Sequence, residues 1–232
     1  MSMILLILFL PLIGTSIGAL FVYFVRLIHN DNYIKITTGL AGGVMLASAI
    51  FSLLIPAINL SLFKGIIGFI LGFLGFMIID KLYVRKRDLS TLNLAVIIHN
   101  IPEGLIIGLA IFQAVNNNGF TLASAFILSM GIAVQNIPEG SIISLNMYPD
   151  KSKNISFFMG FLSGVIEPIA SIIAVVLASF VENLLPYLLG FAAGNMIYVV
   201  VDDLMVEGHG IKCSIGFCIG FSLMLILDVV MG

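Results

Sequence analysis

Residues 99–104 read His99-Asn100-Ile101-Pro102-Glu103-Gly104, and residues 135–140 read Gln135-Asn136-Ile137-Pro138-Glu139-Gly140. Five of the six positions are the same. Each copy sits inside an apolar run of helical length, 92–113 for the first and 121–146 for the second. A carboxylate at mid-bilayer costs roughly 2.5 kcal/mol or more unless it is paired, protonated or bound to a cation. Consecutive spans run antiparallel, and residues four apart share a helix face. His99 thus stands over Glu103 and Gln135 over Glu139, giving two polar stripes that face each other as one cluster of nitrogen and oxygen ligands. Pro102 leaves the carbonyl of Ile98 without its helical donor, and Pro138 does the same to Val134. Gly104 and Gly140 permit close helix approach.

The rest of the chain agrees with a membrane setting. Of its 232 residues 60% are hydrophobic and 9% charged, against about 25% charged in a soluble domain. So little charge cannot cover a water-facing surface, which excludes a soluble globular protein and a disordered chain. The net charge of −2 excludes a nucleic-acid binder, and two cysteines in one apolar segment, Cys213 and Cys218, exclude a disulfide scaffold. The expected fold is an all-α integral membrane protein with eight transmembrane helices, near 3–27, 34–56, 63–84, 92–113, 121–146, 155–181, 184–206 and 211–231, forming a single domain over residues 1–232. The short sixth break, 181–186, implies a tight hairpin between the sixth and seventh spans. The first run has no basic leader region and no small-residue cleavage site, so it reads as an uncleaved span. Continuous apolar runs without alternation exclude a β-barrel.

The basic residues orient the chain. Nine lie in or beside the odd-numbered breaks (Arg26, Lys35, Lys81, Arg85, Lys86, Arg87, Lys151, Lys153 and Lys212) and one, Lys64, in the even-numbered breaks. The positive-inside rule makes the odd breaks cytoplasmic and puts both termini outside. No loop is long enough for a soluble domain, so the chemistry belongs in the bilayer.

Among the twelve acidic residues, Asp31, Asp88 and Asp150 sit in breaks, and Asp80, Glu182 and Asp228 lie close to helix ends, where solvation accounts for them. Glu167, deep in the sixth span, does not fit that account, and Pro168 beside it frees the carbonyl of Gly164. A single Pro-kinked helix with one polar residue is commonplace. Two copies of one motif on adjacent helices, plus a third Glu-Pro, are not. Three carboxylates, one imidazole and three amides suit a divalent first-row metal such as Zn, Fe or Mn, and no thiolate is present to select Cu(I).

On these residues the chain resembles the ZIP (Zrt-/Irt-like protein) metal transporter family, and most closely its prokaryotic GufA-like branch. Further matches are 41–58 (AGGVMLASAIFSLLIPAI) and 192–210 (AAGNMIYVVVDDLMVEGHG). The resemblance implies a binuclear site halfway through the membrane. One ion would be held by His99, Glu103, Gln135 and Glu139, the other by Asn100, Glu103, Asn136, Glu139 and Glu167, with Glu103 and Glu139 bridging. It also implies a 3+2+3 arrangement of spans, uptake towards the cytosol across a cell membrane, a homodimer, and an elevator-like motion of spans one, four, five and six past spans two, three, seven and eight. Zn²⁺ is the expected substrate, with Fe²⁺, Mn²⁺, Co²⁺ or Cd²⁺ as alternatives. Besides the ion and membrane lipid no other ligand, and no cofactor, is expected. Many eukaryotic members carry HExPHE on the fifth span, where this chain has Gln135, Asn136, Pro138, Glu139 and Gly140. Fewer imidazoles make the site harder, and Asn136 in place of an acid weakens the second position. The His-rich loop common in the family is missing.

Weaker candidates line the route. Met45 and Ser52, seven apart on one face of the second span, are either pathway or core. Asp202 and Asp203, followed by Glu207 and His209, read as an exit relay, a cytoplasmic metal site or an interfacial acidic cluster. His29 beside Asp31 reads as solvated loop. A metal-selective channel needs the same ligands as a carrier. An intramembrane metalloenzyme would want an HExxH pair on one helix, and the sequence has none.

Overall fold

Long apolar runs leave the backbone no partner but itself in lipid, so helices are the only local solution. The computed structural model describes residues 2–27, 31–83, 90–116, 121–148 and 150–231. Its helices are α1 (Ser2–Ala19), α2 (Asp31–Ser48), α3 (Ile55–Leu60), α4 (Leu62–Tyr83), α5 (Ser90–Val115), α6 (Leu122–Met147), α7 (Lys153–Val176), α8 (Ala178–Val199), α9 (Met205–Gly208) and α10 (Ile211–Met231). Among the described residues seven helical segments are long and apolar enough to cross a bilayer. The 26-residue α5 adds a further helix of comparable length. The protein is thus an all-helical, multi-pass membrane protein. Large apolar side chains such as Ile70, Leu71, Phe158 and Ile219 face outward, as they do when the solvent is lipid.

Three predicted spans are not single α-helices. The first continues from α1 into a 3₁₀ stretch, Leu20–Leu27. The second passes through a π-helical turn, Ala49–Leu54, before α3. The seventh does so at Val200–Leu204, before α9. Such turns change the helical period locally and are frequent at functional sites. The turn between the sixth and seventh spans falls at Leu177, not within 181–186. Glu182 and Pro186 ride inside α8, and the Asn183 amide bonds back to the carbonyl of Ser179 at 2.9 Å. Gly210, with φ of 117°, turns the chain from α9 into α10 in a conformation that favours glycine.

The helices sort by packing. The closest pairs are α1 with α6, α5 with α7, α4 with α8, and α2 with α10. Helix α7 also packs on α1 and α6, so α1, α5, α6 and α7 form one group, and α2, α3, α4, α8 and α10 the other, with α5 also packed on α8 across the two. Within each close pair glycine lets one backbone lie on the next. A Cβ on Gly14 or Gly18 would collide with the carbonyl of Ala133 or Ile137, and one on Gly104 or Gly108 with that of Glu167 or Ser171. Gly68 and Gly72 meet Tyr187 and Phe191 in the same way, and Gly39 and Gly43 meet Cys213 and Phe217. Small residues at four-residue spacing are the membrane's substitute for a hydrophobic driving force. Between the groups the packing is of another kind. Leu109 of α5 and Ile142 of α6 enter a cluster with Met45, Leu53, Leu189 and Met196, side chain against side chain.

Candidate metal centre

Both hexapeptides fall in the middle of their helices, and Pro102, Pro138 and Pro168 lie inside α5, α6 and α7. Asn100, Glu103, Gln135, Asn136, Glu139 and Glu167 are each at most 1% exposed. Six polar side chains removed from solvent inside an apolar bundle must answer one another or a ligand. The backbone of His99 lies in α5 one turn before Glu103, and its side chain lies outside the described residues.

Two amides organise the carboxylates. Gln135 Nε2 donates to Glu103 Oε1 and, at 3.2 Å, to Glu139 Oε1. Its Oε1 accepts from the hydroxyl of Ser48, on the other helix group. Asn136 Nδ2 donates to Glu167 Oε1 at 2.8 Å and to the carbonyl of Pro11 at 3.3 Å. Asn100 Nδ2 donates to the carbonyl of Ser163 at 3.0 Å. Each amide thus turns its hydrogens to pure acceptors, and for Gln135 the reverse orientation would set an oxygen against two carboxylates. A hydrogen bond to a charged group contributes about 1.5–3 kcal/mol, so the bonds from Gln135 and Asn136 offset much of the strain of clustering acids in lipid. Among the described residues no three His, Cys, Asp or Glu side chains gather closely enough to hold an ion by themselves. The Gln135 amide links Glu103 with Glu139, and the Asn136 amide holds Glu167. Asn100 Oδ1, Asn136 Oδ1 and Glu167 Oε2 are buried oxygens with no hydrogen-bond partner among the described residues. Orphaned acceptors in a dry interior are uncommon and suit a positively charged ligand.

A cavity of about 800 Å³ reaches Glu103 and Gln135 of this centre. Its lining also includes Ser52, Asn59, Ser124 and Asp228. Ser52 Oγ donates to Asp228 Oδ1 at 3.3 Å. Asp228 reads as a solvated helix end in the sequence; in the structure it shares the cavity lining with Ser52. Met45, 1% exposed, is packed in the core between the helix groups.

At the opposite end of the bundle the Tyr198 hydroxyl bonds Asp80 Oδ2 at 2.8 Å and Asp202 Oδ2 at 3.3 Å. Nothing in the sequence indicates that Asp80, on α4, shares a hydroxyl with Asp202. Asp203 and Glu207 have side chains outside the described residues. His209 is exposed, and its Nδ1 lies 3.2 Å from the carbonyl of Val206, in its own chain segment. Sequence reasoning also passed over Ser48 and Pro11. Pro11 leaves the carbonyl of Ile7 without a helical donor, and Ser129 of α6 supplies one at 2.6 Å.

Apolar helices enclosing a mid-span cluster of carboxylates and amides define a multi-pass membrane protein with a polar centre buried inside its helical bundle. The chain belongs to the ZIP zinc transporter family, whose model matches residues 89–228. It is 44% identical over 155 residues to zinc transporter ZIP11 of Xenopus tropicalis, covering 63% of this chain and 45% of that protein. It is 34% identical over 143 residues to zinc transporter GufA of Myxococcus xanthus, covering 60% of this chain and 54% of that one. Against zinc transporter ZupT of Chlorobium chlorochromatii the identity is 31% over 229 residues, covering 83% of this chain and 81% of the relative. The chain therefore spans only about half the length of the ZIP11 and GufA relatives it matches.

Proposed function

We propose that this protein carries divalent transition-metal ions, zinc foremost, into the cytoplasm by alternating access around the Glu103/Glu139/Glu167 centre. The carrying observation is that constellation: three buried glutamates on three neighbouring helices, Glu103 and Glu139 bridged by the Gln135 amide and Glu167 held by that of Asn136, with a cavity reaching Glu103 and Gln135. His99, Glu103, Gln135 and Glu139 take the first ion. Asn100, Asn136 and Glu167, with the bridging Glu103 and Glu139, take a second, and the three orphaned oxygens support that set. The names of the relatives support zinc. Iron, manganese, cobalt and cadmium satisfy the same ligands.

Both termini lie outside, in a 3+2+3 arrangement of eight spans, and the working unit is a homodimer. The ion enters past Asp228 and Ser52 and leaves past Asp202 and Asp203, with Asp80, Glu207 and His209 nearby. Helices α1, α5, α6 and α7 move as one body against α2, α4, α8 and α10. The glycine-seated pairing within each group and the side-chain packing between them support that division.

Reconstitution into zinc-loaded or zinc-free proteoliposomes tests the reading. Glu103→Ala and Glu139→Ala each lower zinc uptake about tenfold or more, equivalent to about 1.4 kcal/mol or more of lost ion stabilisation, while the protein still elutes as a folded species. Undiminished uptake removes the assignment. Saturable, slow flux marks a carrier, and single-channel currents would mark a pore.

A further inference from the structure

The same centre has a second problem to solve, and one side chain is placed to solve it. A carrier that moves ions net in one direction must return with its site empty. Two carboxylates at mid-membrane then face each other without the ion that reconciled them. In the structure the side-chain amide of Gln135 stands between them. Its nitrogen carries two hydrogens, and it has two carboxylate partners, Glu103 Oε1 on α5 and Glu139 Oε1 one turn along α6. Its oxygen is drawn the other way by the Ser48 hydroxyl on α2, which turns both hydrogens towards the acids. Gln135 and Ser48 are both fully buried.

We infer that Gln135 is an internal stand-in for the substrate: its amide bridges Glu103 and Glu139 in the ion-free carrier and so makes the empty return step possible, besides offering its oxygen when the ion is bound. Loading an ion between the two glutamates requires the Nε2 group to leave that position, and unloading lets it swing back. A methionine, a leucine or an alanine at 135 would remove the amide bridge between the two acids on every return stroke. The inference rests on the proposed carrier reading, because it assigns a role in the same site.

Two transport modes separate the steps. Zinc-for-zinc exchange, with saturating zinc on both sides of the vesicle, moves only the loaded carrier. Net uptake into zinc-free vesicles also needs the empty return. In proteoliposomes of the full chain, Gln135→Ala and the nearly isosteric Gln135→Met are expected to lower net uptake about tenfold more than they lower exchange. Gln135→His, which restores a donor, brings the ratio back towards that of the unmodified protein. In parallel, the Gln135→Met protein should lose more thermal stability when zinc-free than when zinc-saturated. A merely structural or merely ligating role lowers both transport modes together, and an unchanged ratio in Gln135→Met overturns the inference. Exchange that survives Glu103→Ala overturns the carrier reading itself, and this inference with it; loss of exchange in Glu103→Ala with an unchanged ratio in Gln135→Met overturns the inference alone.

Discussion

The interior of each helix group and the seam between the two groups are built from different materials. Inside a group, backbone lies on backbone. Gly72 of α4 is seated against the carbonyl of Phe191 on α8, and Gly14 of α1 against that of Ala133 on α6, with no side chain between to yield. At the seam, Leu109 and Ile142 meet Met45, Leu53 and Met196, whose side chains can change rotamer and slide. The candidate ion centre lies at this boundary, where Ser48 of one group reaches Gln135 of the other. The carrier proposed above needs bodies that hold their shape and a surface between them that can be remade. Glycine seats provide the first, since an obstructing Cβ would have to displace a helix. Flexible apolar side chains provide the second.

The largest expected effect is therefore at a glycine seat. Gly72→Val should cost about 3 kcal/mol or more, the upper end of overpacking penalties, because the obstacle is backbone. Thermal melting in detergent should show a sharply lowered midpoint or loss of the monodisperse peak. At the seam, Ile142→Val should cost only about 0.5–1.5 kcal/mol, leaving a folded protein whose zinc uptake can still be measured. Equal damage from the two changes would erase the distinction between the regions. The smallest effect belongs to Gly75→Ala on α4. A Cβ there meets nothing within 4 Å, so the melting point should hold steady or rise by the equivalent of up to about 1 kcal/mol, the helix preference of alanine over glycine. A marked loss would mean that this face is covered by something other than lipid.

How far the sequence alone reached follows the same division. Hydropathy located the spans, because lipid demands long apolar runs. It also isolated Glu103, Glu139 and Glu167, because a carboxylate is conspicuous in such a run. It was silent about Ser48, since one hydroxyl within a mixed apolar stretch is ordinary; only its place opposite Gln135 gives it meaning. Asp228 and Asp80 were read as solvated ends because distance from a helix terminus is all that a sequence shows. Their partners, Ser52 and Tyr198, come from other spans or from the turn of a helix. The π-helical turns at Ala49–Leu54 and Val200–Leu204 left no mark in the apolar pattern, since every residue of the first except Ser52 is apolar and a change of period has no hydropathy signal. Which glycine sits on which carbonyl is likewise a property of paired helices and not of either one.

The account depends most on a cation lying between Glu103 and Glu139. Anomalous diffraction at the zinc edge, from crystals of the zinc-saturated protein, addresses that directly. The predicted result is a strong peak within coordination distance of Glu103, Glu139 and His99, with the Gln135 amide turned to offer its oxygen. A well-diffracting zinc-saturated crystal with no anomalous peak there, or with zinc confined to surface sites such as His209, would contradict it.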